Sequence, residues 1–168
     1  GSGKTEAALD AARELALKYA DNGIAFALPT QATADGILPR VARWASGVID
    51  GDAAIRLMHG RAAMNDDYMA MLTGSVFDET AGDGKNGRRD SYDGARLMVN
   101  RWFDGSKQGL LANFVVCTID QILMAALQAK HFDLRHLGLA GKCVIVDEIH
   151  AADSYMEVYL ERAVEWLA

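Results

Sequence analysis

The sequence lacks any apolar run near the roughly 18 residues that a helix needs to cross a bilayer, and its start lacks a basic-then-apolar leader pattern. The expected location is therefore cytoplasmic, with no membrane partner. Only two cysteines occur, Cys117 and Cys143, each inside a strand-like apolar run. Two such thiols exclude a disulfide framework and a paired-cysteine zinc site. Positive charge is also short: 17 Lys and Arg face 23 Asp and Glu, a net charge of -6. That balance excludes a protein that coats nucleic acid by bulk attraction, so any nucleic-acid site has to be local. No adjacent His-Asp pair occurs and no His/Asp cluster has metal-ligand spacing, so a second, metal-dependent active site is not expected. Internal repeats are absent too.

What is present is enough for one domain and too short for two: 168 residues, of which 51% are apolar. Ala8, Ala12, Leu15 and Tyr19 recur at helical spacing until Asp21-Asn22-Gly23, a suitable helix stop. The period then changes. Ile24 to Leu28, Ile55 to Met58, Phe114 to Cys117 and Cys143 to Val146 are short apolar runs of strand length, suited to a parallel sheet covered on both faces. Helical candidates fall at 31 to 45, 64 to 72, 92 to 103 and 119 to 130, with Pro39 expected to kink or shorten the first. A last helix, 154 to 167, opens on a Ser154 and Glu157 capping-box pair and carries Met156, Leu160, Ala163 and Leu167 on one face. The alternation predicts an α/β fold, a doubly wound and mostly parallel sheet with helices on both faces. Residues 79 to 94 are rich in Gly and mixed charge and read as an exposed loop or insertion.

Gly1-Ser2-Gly3-Lys4-Thr5 opens directly into the first helix. A phosphate needs that arrangement: free backbone amides at a helix N-terminus, an ammonium and a hydroxyl. Lys4 would hold the β and γ phosphates of ATP and Thr5 would ligate Mg2+. The full loop motif begins three residues before Gly1, and the strand that ordinarily feeds it is missing, so the domain is read as truncated at both ends. Alone, such a match is also what a turn and a cap would give. Val144-Ile145-Val146-Asp147-Glu148-Ile149-His150 supplies the complement, a buried strand ending in two carboxylates and then a histidine. Asp147 would hold the metal, and Glu148 would orient and deprotonate the water that attacks the γ-phosphate. Asp-Glu alone is a solvated strand end. Both halves, in this order, point to a nucleoside triphosphatase, and the Asn-Lys-x-Asp pattern of guanine recognition is absent.

GSGKTEAAL, ALPTQATADGI, LMHGRA, TIDQILMAAL and VIVDEIHAADSYM occur in the order seen in the CRISPR-associated DExH helicase-nucleases of type I interference systems, which the chain resembles over nearly its whole length. The stretches ALPTQATA and KHFDLRHLGLAGKCVIVDEIHAAD are the most selective, and residues 62 to 109 match poorly. The resemblance implies a RecA-like first helicase domain, ATP and Mg2+ as cofactors, and His150 coupling nucleotide state to a partner domain. It implies single-stranded DNA contact by Pro29, Thr30, Gln31, Ala32 and Thr33 and by Thr118, Asp120 and Gln121. Hydroxyls and helix-terminal amides there could grip phosphates without net positive charge, although Thr30 and Thr118 would equally serve as helix caps. Cys117 stands where the similar motif carries glycine. The implied partners are a nuclease domain, a second motor domain and a guide-RNA surveillance complex. Two alternatives stay open: a DExH helicase of RNA or DNA repair, and a non-catalytic nucleic-acid-binding domain of the same fold. Without its second domain the chain is expected to be inactive.

His59-Gly60 resembles the family's turn after a strand, but a lone His beside Gly is read as structural. Trp44, Trp102 and Trp166 are assigned to core or interface, and Arg40, Arg43, Arg88 and Arg89 to solvated surface.

Overall fold

The computed structural model describes residues 3–19, 22–49, 51–72, 97–99, 101–104, 108–127, 132–149 and 154–167. The helices are α1 (Lys4–Tyr19), α2 (Gln31–Val48), α3 (Asp66–Leu72), α4 (Ile119–Ala126), α5 (Phe132–Leu139) and α6 (Ser154–Leu167). The strands are β1 (Gly23–Leu28), β2 (Ala53–Met58), β3 (Leu97–Met98), β4 (Phe114–Thr118) and β5 (Lys142–Val146). They form one sheet in the order β3-β2-β4-β1-β5, and every pairing is parallel.

Strand alternation divides the interior into two layers. Ile24, Phe26, Ile55, Leu57, Phe114 and Val116 face α1, α2 and α3, where Leu9, Leu38 and Tyr68 complete the packing. Ala25, Ala27, Val115 and Cys117 face the other way, toward Ile119, Ile122, Leu139 and Leu160 of α4, α5 and α6. Helices therefore cover both faces, as the continuous apolar strands require. Met156, Leu160, Ala163 and Leu167 of α6 all join this second layer, as their spacing predicts. The buried guanidinium of Arg56 on β2 sits 5.5 Å from the Tyr68 ring centroid and donates to the Tyr68 hydroxyl.

Four expectations need correction. The helix sought at 92 to 103 is replaced by β3 and a 3-10 turn at Arg101–Asp104, with 92–96 outside the described residues. A short apolar run fits either period, and here pairing with β2 decides it. α2 is not shortened at Pro39 but extends to Val48, because Ala34, Ile37, Leu38, Val41, Ala42 and Ala45 bury a full stripe that outweighs one lost hydrogen bond. α1 buries Thr5, Leu9 and Ala12, whereas Leu15 and Tyr19 are exposed, so the inward face is rotated from the spaced set. α5 is an element that sequence periodicity missed. α4 itself ends at Ala126 with Leu127 as its cap. The proposed insertion at 79 to 94 and the side chain of Ser154 lie outside the described residues. Among the described residues no helix is long and apolar enough to cross a membrane.

Asn113, just before β4, ties the strand starts together: its backbone oxygen accepts from Ile24 N at 2.9 Å and its side chain from Ala54 N at 2.9 Å. Gly23 permits this approach. Its φ is +144°, and a Cβ there would lie 1.9 Å from Asn113 O. Gly23→Ala is therefore expected to lose roughly 3 kcal/mol or more of stability, from strain at a left-handed position plus displacement of the sheet bond. Gly36→Ala, on the exposed face of α2 with nothing within 4 Å, should instead gain about 0.5 to 1 kcal/mol. Urea unfolding of both variants checks the pair, and equal effects would count against the packing described.

Candidate nucleotide and nucleic-acid site

Because all five strands are parallel, their C-terminal ends open on one side of the sheet. Leu28 lies level with Thr118, Met58 with Cys117 and Ala27 with Val146. The residues that follow these strands, at 29 to 31, 59 to 61, 118 to 121 and 147 to 148, therefore form one continuous rim. α1 ends just before β1 begins and packs against β5 and β1, so it runs back along the strands and delivers its N-terminus to the same rim. The two halves of the sequence argument, Lys4-Thr5 and Asp147-Glu148, are thus brought to one end of the sheet.

Asp147 N–H donates to Ala27 O at 3.0 Å, extending the β5–β1 ladder by one bond. Its Oδ1 accepts the N–H of Glu148 at 2.8 Å. Glu148 has φ +55°, the only left-handed non-glycine among the described residues. A side chain in that region costs about 1 to 2 kcal/mol, and such strain concentrates where a group must be aimed. Its carboxylate is exposed, while Asp147 is half-buried. Thr5 is buried at the start of α1 and Lys4 is exposed. A carboxylate and a hydroxyl are hard oxygen donors of the kind that suit Mg2+. Gly3 carries φ +112°, and its carbonyl accepts from Ala7 N at 3.0 Å. Gly1, Ser2 and His150 lie outside the described residues.

α1 is also fastened to α2. Arg40 donates to Glu6, and Trp44 Nε1–H donates to Asp10 Oδ1 at 2.9 Å, one helical turn further along both helices. The Arg40 hydrogen bond holds the Glu6 carboxyl below its ordinary range, helped by backbone hydrogen bonding. Arg40 is thus an inter-helix partner and not merely solvated.

Thr30 caps α2 reciprocally with Thr33: Thr33 N donates to Thr30 Oγ1 at 3.1 Å, Thr30 N to Thr33 Oγ1 at 3.3 Å, and the hydroxyls meet at 2.9 Å. Thr118 precedes α4 with its side chain making no capping bond, so capping does not account for it. Pro29 is half-buried between β1 and α2. Asp120 is exposed in the first turn of α4, where its charge complements the helix end and would repel a phosphate. Gln121 is engaged by Arg135 of α5, whose Nη1 donates to Gln121 Oε1 at 3.0 Å and to its backbone oxygen at 3.4 Å. Cys117 points into the second layer, fully buried, and burial pushes its thiol up to about 12. Its side chain therefore does not obstruct the rim.

His59 is structural, as expected, but in a way its isolation in sequence did not show. Its side chain is fully buried and its Nε2 meets Asp35 Oδ1 at 2.9 Å. Nδ1 accepts from Arg61 N at 3.2 Å, which leaves Nε2 as the protonated nitrogen. Asn65 Nδ2 donates to the same Asp35 oxygen at 2.8 Å. Asp35 and Asn65 were not singled out from sequence, since neither lies in a recognisable motif. Of the tryptophans, Trp44 packs against the first layer edge-on to Phe114. Trp102 is 58% and Trp166 42% exposed, so they are not core, and Trp166 stacks on His136 at 3.6 Å.

No family model matches the chain. It is 42% identical over 170 residues to a CRISPR-associated nuclease/helicase Cas3 of Streptococcus thermophilus, covering 99% of the chain and 17% of that protein. A CRISPR-associated endonuclease/helicase Cas3 of Thermus thermophilus is 37% identical and that of Escherichia coli 35% identical. Among solved structures, T. fusca Cas3-ADP superposes with a TM-score of 0.76 at 40% identity, and Cas3-AMPPNP with 0.74 at 40%, each match covering 99% of the chain and 16% of that structure. The chain thus spans about 17% of the length of the curated relatives it matches. The resemblance carried by the motifs is borne out on sequence and on fold: the chain is related, along nearly its whole length, to a segment of the CRISPR-associated nuclease/helicases and has a RecA-like α/β fold.

Proposed function

We propose that this chain is the ATP-binding first motor domain of a CRISPR interference helicase-nuclease that tracks single-stranded DNA and serves the degradation of invading DNA. The observation that carries the proposal is the delivery of α1's N-terminus, with Lys4 and Thr5, to the sheet end where Asp147 and Glu148 leave β5. Lys4 binds the β and γ phosphates, with the amides of Gly1, Ser2 and Gly3 around them. Thr5 and Asp147 hold Mg2+, which neutralises charge on the phosphates when bound. Glu148 takes the proton of the attacking water, and His150 relays nucleotide state toward the second motor domain. Pro29, Thr30, Gln31, Thr33, Thr118 and Gln121 contact the DNA backbone, while Asp120 stabilises α4. The relatives named Cas3 support the pathway, and the ATP, ADP and AMPPNP forms of T. fusca Cas3 support nucleotide binding. In the parent protein a nuclease domain and a second motor domain accompany this segment, and a guide-RNA surveillance complex recruits it. The segment alone lacks a cation from across the cleft and is inactive.

In the parent protein, Glu148→Gln is expected to bind ATP and to lose DNA-stimulated hydrolysis by about 10² or more, because shape is kept and the base removed. Lys4→Ala should weaken nucleotide binding itself. Turnover of Glu148→Gln within a few-fold of wild type would reject the assignment. Glu148→Asn, also inactive, should unfold at a higher temperature than Glu148→Gln because asparagine tolerates the left-handed backbone better.

Thr118→Val should lower affinity for single-stranded DNA about equally across sequences, as loss of a phosphate contact requires, with little change in stability. Thr30→Val should lower that affinity as well, and should cost about 1 kcal/mol of stability through the lost cap. DNA binding by fluorescence anisotropy, with thermal unfolding alongside, separates the two effects. Unchanged DNA affinity in Thr118→Val would remove that residue from the interface.

A further inference from the structure

The turn after β2 carries a cation that the motif assignments do not use. Arg61 is exposed, and among the described residues no carboxylate lies within ion-pair distance of it. Its Nε–H donates to Gln31 Oε1 at 3.1 Å, across from the first turn of α2. That bond uses the amide's acceptor. The Gln31 NH2 and the two terminal nitrogens of the guanidinium are not used by that bond, and they are donors suited to anionic oxygen. On the α4 side the same device recurs, since Gln121 Oε1 is occupied by Arg135 and its NH2 is left over.

The turn that bears Arg61 is held from below. His59 and Asn65, at the two ends of the turn, both donate to one oxygen of Asp35 on α2, at 2.9 and 2.8 Å. Asn65 Oδ1 also accepts from Tyr68 N at 2.7 Å, fixing the start of α3. His59 Nδ1 receives Arg61's own N–H, so the buried imidazole sets the backbone of the residue whose side chain is exposed. Two polar side chains and a buried histidine are spent on orienting one surface turn. A turn that only connected β2 to α3 would not need that.

Resting on the nucleic-acid reading of the rim, we propose that Arg61 is a phosphate-contacting residue of the single-strand interface, with Gln31, His59, Asp35 and Asn65 positioning it. It adds a local cation to a rim that otherwise offers a polyanion hydroxyls and helix-terminal amides, in a chain of net charge -6. The level of Met58 with Cys117, and of Leu28 with Thr118, sets Arg61 on the β2 flank of the same rim as Thr118 and Thr30.

The test measures binding of a fluorescein-labelled oligodeoxythymidylate to the full-length protein containing this segment, across a salt series. Arg61→Ala should weaken binding about tenfold at low salt and reduce the slope of log affinity against log salt by about 0.7, the value for one single-strand phosphate contact. Arg61→Lys should keep the slope, since its charge is retained. Asn65→Ala should weaken binding in the wild-type background and add little in the Arg61→Ala background. A purely structural role for Asn65 would not produce that dependence. An unchanged slope and affinity in Arg61→Ala, at an unchanged unfolding temperature, overturns the proposal. If Thr118→Val weakens binding while Arg61→Ala does not, only this inference fails. If neither does, the nucleic-acid reading of the rim fails with it.

Discussion

Everything at the candidate site depends on the burial of parallel strands on both faces. A parallel strand cannot turn back on itself, so each must be followed by a crossover that returns the chain to the sheet's starting end. The helices that make these crossovers supply the two apolar layers, one under α1, α2 and α3, the other under α4, α5 and α6. The same constraint places every strand's C-terminus on one side. Residues far apart in sequence, such as Thr30, His59, Thr118 and Asp147, therefore become neighbours without any long-range motif to join them.

On that rim the polar contacts are unevenly distributed. The Asp147 backbone is held to β1 and its carboxylate accepts the Glu148 N–H, while the left-handed φ fixes the direction in which the Glu148 side chain leaves the chain. α1 and α2 are joined by Glu6–Arg40 and Asp10–Trp44, which tie the helix that begins at Lys4 to the helix that begins at Gln31. Exposed pairs such as Glu6–Arg40 contribute modestly to stability. Their value here is geometric, since they set the first helix against the second.

The four principal strands were legible because each is a short apolar run bounded by turn residues, and the observed spans differ from the runs by at most a residue or two. α6 was legible because Met156, Leu160, Ala163 and Leu167 repeat on one face. β3 was not, because two residues carry no period of their own and gain strand geometry only by pairing with Ala53 and Ala54. α2's passage through Pro39 was not, because the local penalty was visible and the buried stripe opposing it was tertiary. Whether Trp102 and Trp166 belong to core or interface was not legible for a related reason: a large apolar side chain at a helical position does not say which way the helix faces, and both are outside the core.

Fold class, and the kinds of side chain available for chemistry, can be read along the chain. Apolar runs of strand length alternating with amphipathic stretches allow few architectures, and Lys4-Thr5 with Asp147-Glu148 supply, in order, the residue types that the proposed nucleotide chemistry would use. Tertiary structure alone decided where those groups point and what supports them. The left-handed turn at Glu148, the burial of the Cys117 thiol away from the rim, the absence of a capping bond from the Thr118 side chain and the Asp35 oxygen shared by His59 and Asn65 are all of this kind. Each depends on contacts between segments brought together only when the sheet closes, and such contacts leave no periodic or compositional trace along the chain.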